Sequence, residues 1–147
     1  MTLLRRMPFS SRRHPALRQL VELYTKAIDC CQPQMLRRLM APNAVIHAFG
    51  PPIKGHHRIA QLPLMIRRNA KLGHHVVQEQ RVAVRGRRAF GITLGEVFVV
   101  LSQNGQRTTQ HRGLRYDDLY VRIGRRWRFL RRRLSETFSH TTTHAEN

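Results

Sequence analysis

The hydrophobic positions near the start of the chain follow a helical period. Between Pro15 and Cys30 they recur at steps of three and four residues, the spacing of one face of an α-helix. These positions are Leu17, Leu20, Val21, Tyr24, Ala27 and Ile28. Pro15 suits the first helical turn, where the missing N–H costs no hydrogen bond. The pattern therefore predicts an amphipathic helix over this stretch.

Shorter patterns follow this helix. Gln32 and Pro33 break the helical period, and residues 35–40 predict a second, short helix. Residues 44–49 predict a strand, which the run Gly50-Pro51-Pro52 ends. Residues 56–72 predict a third helix, in which Pro63 stands where it would kink or restart the helix.

The rest of the chain has a strand pattern. Turn signals, among them the strong hairpin signal Asn104-Gly105, separate four long runs. The runs cover residues 75–84, 88–103, 107–123 and 126–138. Helices and strands in separate blocks favour an α+β fold over an alternating one. We expect a cone: a curved antiparallel sheet packed by three N-terminal helices around one apolar pocket.

Length and composition fit one domain. The chain has 147 residues and 41% hydrophobic residues, which suits a single packed core. We expect the domain to cover residues 14–138, with residues 1–13 as a disordered basic tail and residues 139–147 as a second disordered tail. The Arg-rich, acid-free start also has features of an organelle transit peptide. Disorder is the simpler interpretation.

Cysteine usage and hydropathy indicate a cytoplasmic protein. Cys30 and Cys31 are adjacent and are the only cysteines, so they cannot link distant segments. No apolar stretch approaches the ~20 residues that cross a bilayer. We therefore expect a cytoplasmic location and no membrane partner.

The net charge of +19 is extreme, and arginines supply 24 of the 27 basic residues. Such a surface attracts phosphate backbones and acidic ligands regardless of sequence. A compositional skew without a binding role, a polyanion-binding role and the steering of an anionic substrate all remain open. Nucleic acid is a possible partner but not the favoured one, since no RNA-binding aromatic motif is present.

Several phrases, in their order and spacing, resemble a known family across about residues 15–135. They are LYTKAID (23–29), LRRLMAPNAVIHAFG (36–50), HVVQEQRVAVRGRRA (75–89) and RYDDLYVRIGRRWRFLRR (115–132). They are similar to the SnoaL-like branch of the nuclear-transport-factor-two-like superfamily. That superfamily includes ketosteroid isomerase, scytalone dehydratase, a hexachlorocyclohexane dehydrochlorinase, polyketide cyclases and pure binding domains. The resemblance implies the cone fold and a homodimer, but it constrains the chemistry only loosely.

The resemblance implies a catalytic pair. In the dehydratase and the dehydrochlorinase, the positions that match Asp29 and His75 form an Asp–His dyad. The carboxylate of such a dyad fixes the imidazole tautomer, so that the other ring nitrogen can abstract a proton. His74 is a competing histidine, but strand alternation places it on the opposite face from His75. Asp29 as a helix-end acid satisfying local donors is the structural alternative.

Four further residues are candidates for substrate binding. Tyr24 resembles the oxyanion-stabilising tyrosine of ketosteroid isomerase, although a plain core tyrosine is an alternative. Glu96 interrupts the apolar stripe of residues 90–100 and would be buried if that stripe faces the pocket. Arg122 resembles a pocket arginine of the dehydrochlorinase and shares a strand face with Tyr116, although a structural pair with Asp118 is equally open.

The chain departs from the isomerase pattern and lacks cofactor motifs. Ala48 stands near the position of the isomerase's general base, and alternation points His47 to the other face. Nine histidines are present, but without HExxH or CxxC spacing, so we expect no metal site. No phosphate-binding loop is present either, and we expect no cofactor.

These observations lead to three functional hypotheses. The first is a cofactor-independent lyase or isomerase that uses the Asp29–His75 dyad on a small cyclic or polyketide-like molecule. The second is a catalytically silent domain that binds a hydrophobic ligand. The third is a basic adaptor for nucleic acid or an acidic protein.

Overall fold

The structure, a computed structural model, describes residues 14–70 and 72–145. The helices are α1 (Pro15–Asp29), α2 (Pro33–Leu39), α3 (His56–Ile59) and α4 (Leu62–Asn69). The strands are β1 (Met40–His47), β2 (Ile53–Lys54), β3 (Leu72–Arg85), β4 (Arg88–Gln103), β5 (Gln106–Ile123) and β6 (Arg126–Ala145). The predicted tail at residues 1–13 lies outside the described residues.

The strands form one six-stranded sheet in the order β2-β1-β6-β5-β4-β3. Strands β3 to β6 make the predicted antiparallel meander, but β1 runs parallel to β6, with His47 opposite Arg133. Register shifts in β3 and along the β5–β6 pair bend the sheet. The α+β cone is confirmed, with an unclosed sheet that is mixed rather than wholly antiparallel.

The first helix forms as its pattern predicts. All six positions of its apolar stripe are buried. At its start the His14 side chain accepts a hydrogen bond from the Leu17 N–H at 3.4 Å. This stripe packs against the helix-facing side of the sheet and supplies much of the core.

The predicted third helix is two short helices. α3 ends at Ile59 and α4 begins at Leu62, so Pro63 lies in the first turn of α4. A proline there loses no helical hydrogen bond. Pro63 therefore restarts the helix rather than kinking it.

Strand β6 extends through most of the region predicted as a C-terminal tail. Its partner β5 begins at Gln106, which pairs with Ala145, and the register is continuous through His111 and His140. The backbone ladder thus orders residues 139–145, although their side chains are polar. Residues 146–147 lie outside the described part of the chain.

Strand β4 faces the opposite way from the interpretation that made Glu96 a pocket residue. Its buried positions alternate through Gly91, Thr93, Gly95 and Val97, so the stripe containing Glu96 lies on the outer face. The inner side is tightly packed: a Cβ on Gly91 would lie 2.8 Å from the Tyr120 ring. A small residue is therefore needed at this inner-face position, beside the Tyr120 side chain of the adjacent strand β5.

Candidate active site

A cavity of about 420 Å³ opens where the helices leave the sheet uncovered. It is lined by Tyr24 and Ile28 of α1, by the residues just after β1, by one side of α4, and by strands β3 to β6. Most of these side chains are apolar. The volume lies within the range of small-molecule sites, ~300–1,000 Å³.

Asp29 and His75 meet at the wall of this cavity. The His75 Nδ1 lies 2.5 Å from Asp29 Oδ1, and the His75 backbone N–H donates to Asp29 Oδ2 at 2.8 Å. Both side chains are largely buried, at 14% and 15% exposure. One residue of β3 thus engages both oxygens of the carboxylate.

The position of Asp29 is electrostatically unfavourable without His75. Asp29 is the last residue of α1, and the carbonyl end of a helix dipole disfavours a negative charge. The two donors of His75 offset this repulsion. His74 lies on the other face, as alternation predicts, with its ring 71% exposed and its Nδ1 3.9 Å from Asp29 Oδ2.

The pairing fixes the state of the His75 ring. An ionised carboxylate only accepts hydrogen bonds, so Nδ1 carries the proton and the neutral ring has its lone pair on Nε2. Nε2 has no hydrogen-bond partner among residues 14–70 and 72–145. His75 also lines the cavity. A basic nitrogen is therefore available at the cavity wall.

Two buried phenols form the inner end of the cavity. Tyr24 and Tyr116 both line it, and their ring centres are 6.2 Å apart. Burial raises the pKa of both phenols, so they remain protonated donors at neutral pH. The guanidinium of Arg132 lies 4.2 Å from the Tyr24 ring centre and 3.7 Å from that of Tyr116.

Arg132 is held by a buried ion pair. Its Nε donates to Asp118 Oδ1 at 3.0 Å, and the Tyr120 hydroxyl donates to Asp118 Oδ2 at 2.9 Å. Burial raises the pKa of the Asp118 carboxyl, and the charge of Arg132 opposes this shift. Arg132 Nη1 is buried without a partner in the described chain. The sequence pattern allowed Asp118 to pair with Arg122, but the structure pairs it with Arg132.

Sequence reasoning missed Arg132 because it stands in the middle of a run of three arginines, residues 131–133. Only the cross-strand register, in which Asp118 faces Arg132, distinguishes it from its neighbours. Arg131 and Arg133 lie on the exposed face.

Two predicted substrate-binding residues lie away from the cavity. Arg122 is exposed near the β5–β6 hairpin, with its guanidinium 5.8 Å from the Trp127 ring centre. Glu96 lies on the outer face of the sheet, where its Oε2 is 3.4 Å from His111 Nε2. Neither lines the cavity. The reason is geometric: Arg122 is too far along β5, and Glu96 points to the wrong side of β4.

A different arginine lines the cavity. Arg112 shares the inward face of β5 with Leu114 and Tyr116, and alternation back from Tyr116 would have identified it. Its Nε donates to Glu136 at 2.8 Å, and its guanidinium lies 4.7 Å from the Phe49 ring centre. Ala48 also lines the cavity, so the position suggested for the isomerase's base carries no ionisable group.

Four further expectations concern metal binding, membrane spanning, oligomeric state and cellular location. Within residues 14–70 and 72–145, no group of three or more His, Cys, Asp or Glu side chains is arranged to hold a metal ion. No helix in the same ranges is long and apolar enough to span a membrane. The homodimer and the cytoplasmic location stay predictions.

Comparisons with known proteins agree with this architecture. A family model described as a SnoaL-like domain matches residues 11–133. No curated protein matches the chain significantly.

Solved structures share the fold at low sequence identity. A hexachlorocyclohexane dehydrochlorinase of type 2 superposes with a TM-score of 0.81 at 16% identity, covering 90% of each chain. A putative scytalone dehydratase from Novosphingobium aromaticivorans has a TM-score of 0.74 at 17% identity, again covering 90% of each chain.

A nuclear transport factor 2-like superfamily protein from Salmonella enterica has a TM-score of 0.73 at 19% identity, covering 82% of this chain and 87% of the other. At these identities the structural likeness establishes the fold alone. The family match covers most of the chain, and the protein therefore belongs to the SnoaL-like family.

Proposed function

We propose that this protein is a cofactor-independent lyase or isomerase that acts on a small, largely apolar molecule held in the cavity. The observation that carries the proposal is the Asp29–His75 pair, which presents an unpartnered imidazole nitrogen at the cavity wall. A base so placed suits proton abstraction from carbon near neutral pH.

In an elimination, His75 Nε2 takes a proton from a substrate carbon. The electrons of that C–H bond form a double bond to the adjacent carbon, and the leaving group departs from it with the bonding pair. The Asp29 carboxylate stabilises the imidazolium that forms. In an isomerisation the same proton returns to a different carbon, and no group leaves.

The inner end of the cavity supplies donors for the charge that develops. Tyr24 and Tyr116 are buried, protonated phenols, and a positioned O–H stabilises an oxyanion or a departing anion. The positive charge of Arg132 lies against both rings and strengthens them as donors. Arg112 takes the positioning role at the mouth that the sequence suggested for Arg122.

The lining favours a substrate with an apolar body and few polar groups. The names of two structural neighbours suggest candidate substrates, namely hexachlorocyclohexane and scytalone. Both neighbours share this fold, so loss of chloride from hexachlorocyclohexane and loss of water from scytalone are reasonable first assays.

The proposal is tested with three readouts on wild type, Asp29→Asn and His75→Gln. They are chloride release from hexachlorocyclohexane, dehydration of scytalone, and deuterium uptake from D₂O into a cyclic ketone. We expect both variants to lose about 10²–10⁴-fold in rate, the usual contribution of a general base. Ligand binding, measured by calorimetry, should persist.

Glu96→Gln is the matched control, because it removes a carboxylate that faces away from the cavity. Turnover that survives in His75→Gln would refute the assignment of the base. Ligand binding by wild type without any turnover or deuterium uptake would instead make the protein a silent binding domain.

A further inference from the structure

The mouth of the cavity has an unusual number of exposed apolar side chains. On α4, Leu64, Met65 and Ile66 are 40%, 48% and 39% exposed, and Phe49 at the end of β1 is 63% exposed. Three of these four, Phe49, Met65 and Ile66, also line the cavity. Exposed apolar residues clustered at one site indicate an interaction surface, whereas scattered ones do not.

The chain segment that carries this surface is rich in basic residues. Residues 30–78 contain seven lysines and arginines and no Asp or Glu. Arg67 and Arg68 follow directly after the three exposed apolar residues of α4. Both are exposed and make no ion pair with any described residue.

The acids of the fold are paired with basic side chains other than Arg67 and Arg68. Each carboxylate in the described ranges lies within 4 Å of such a partner. The partners are Arg18, His75, Arg81, His111, Arg112, Arg115 and Arg132. No carboxylate in the described ranges pairs with Arg67 or Arg68, so both guanidinium groups are available to an external partner.

We propose that the cavity mouth docks on an anionic lipid bilayer, with the apolar side chains of α4 and Phe49 entering the interface and Arg67 and Arg68 contacting lipid phosphates. Apolar side chains beside arginines are the combination that binds a bilayer surface. The cavity would then open toward the lipid, so an apolar ligand could pass into it without crossing water. This differs from the sequence-based expectation of no membrane partner.

Charge argues against two other occupants of this surface. A second copy docked face to face would bring the unpaired Arg67 and Arg68 of both copies together, which is repulsive. A nucleic acid duplex would neutralise the arginines, but the adjacent apolar side chains would stay exposed to water beside its phosphates. A bilayer with anionic headgroups matches both components of the surface.

The docking surface does not depend on the proposed chemistry. It concerns side chains outside the dyad, and its test uses no substrate. Failure to dock would leave the assignment of Asp29 and His75 intact, and failure of turnover would leave docking intact.

The test is co-flotation with phosphatidylcholine vesicles, with and without phosphatidylglycerol, of the full chain and two double variants. The mouth variant is Leu64→Gln with Arg68→Gln, two exposed residues that do not line the cavity. The control is Val84→Gln with Arg85→Gln. Val84 is 44% exposed, and it lies nine residues along β3 from His75, about 30 Å away.

We expect wild type to bind only the vesicles that contain phosphatidylglycerol. The mouth variant should lose at least about tenfold in partitioning, since one arginine near the headgroups contributes about fivefold and Leu64 adds to it. The control removes the same charge far outside the ~8 Å Debye length and should change partitioning less than about twofold.

Three results would overturn the proposal. Equal losses in the two double variants would mean that net charge alone drives binding. A parallel loss of binding to a duplex DNA oligonucleotide in the mouth variant would mean that the surface recognises phosphates generally. A change in oligomeric state of the mouth variant, measured by light scattering, would mean that a second copy covers the surface.

Discussion

Asp118 and Arg132 form an almost fully buried ion pair, with side-chain exposures of 0% and 1%. Replacement of Arg132 by Met keeps most of the side-chain volume but leaves Asp118 with one remaining donor, the Tyr120 hydroxyl. Breaking a buried pair on one side costs about 3–5 kcal/mol. We therefore expect Arg132→Met to be strongly destabilised.

The pKa of the Asp118 carboxyl sets the direction of a pH effect. Burial raises the pKa of the Asp118 carboxyl, and without Arg132 nothing of opposite charge counters that shift. The folded variant therefore favours the protonated form of Asp118 more strongly than wild type does. For a domain of this size a loss of about 3–5 kcal/mol corresponds to a fall in Tm of about 10–15 °C.

The sign of the pH dependence follows from the same proton. In the variant, the raised pKa of Asp118 lets the folded state bind more protons than the unfolded state above the unfolded-state pKa of about 3.9. Its stability relative to wild type therefore rises as the pH falls toward that value, and the deficit should be smaller at pH 5 than at pH 7. Urea denaturation followed by circular dichroism at both pH values measures it.

The double variant Asp118→Asn with Arg132→Met removes the buried charge altogether. We expect its deficit to be smaller than that of Arg132→Met and independent of pH over this range. If the deficit of Arg132→Met is below about 1 kcal/mol, or does not change with pH, then the pair does not stabilise the fold in the way inferred here.

Three further predictions follow from the structure. Gly91→Ala should lower the unfolding free energy, measured by urea titration, by about 1–3 kcal/mol, because the new Cβ would lie 2.8 Å from the Tyr120 ring. Gly73→Ala is the control: no atom lies within 4 Å of the added Cβ, so the same titration should show little change. The imidazole of His47 should titrate below its usual pKa of about 6.5 by NMR, because burial and then the neighbouring positive charges of β6 and β2 disfavour its protonated form. Protonating it should therefore destabilise the fold as the pH drops below that value, and a pKa at or above the usual value would contradict the position of His47 beside Arg131 and Arg133 of β6. Glu96→Gln should leave ligand binding in the cavity unchanged within about twofold by calorimetry, since its side chain lies on the other face of β4; a larger loss would show that β4 faces the other way.

Local patterns predicted the elements of this protein well. The apolar stripe of α1 is buried at every predicted position, because a helix with one apolar face has only one way to bury it. The four long strand runs form β3 to β6, and Asn104-Gly105 forms a tight turn with positive φ at both residues. The phrases shared with the SnoaL-like family correctly indicated the fold.

The sequence also indicated two residues that the fold brings together. Asp29 and His75 are 46 positions apart and in contact, and strand alternation separated His75 from His74. Their catalytic role rests on the resemblance and stays a prediction.

Only the tertiary structure decided which strand faces point inward and which charged residues pair. Alternation divides β4 into two stripes but does not say which one points inward; the close approach of Tyr120 at Gly91 decides that, and so places Glu96 outside. The two-residue period of a strand likewise does not show which arginine of β5 or β6 pairs with Asp118. Cross-strand register places Arg132 opposite Asp118 and leaves Arg122 at an exposed hairpin, because register is set by long-range pairing and not by local sequence.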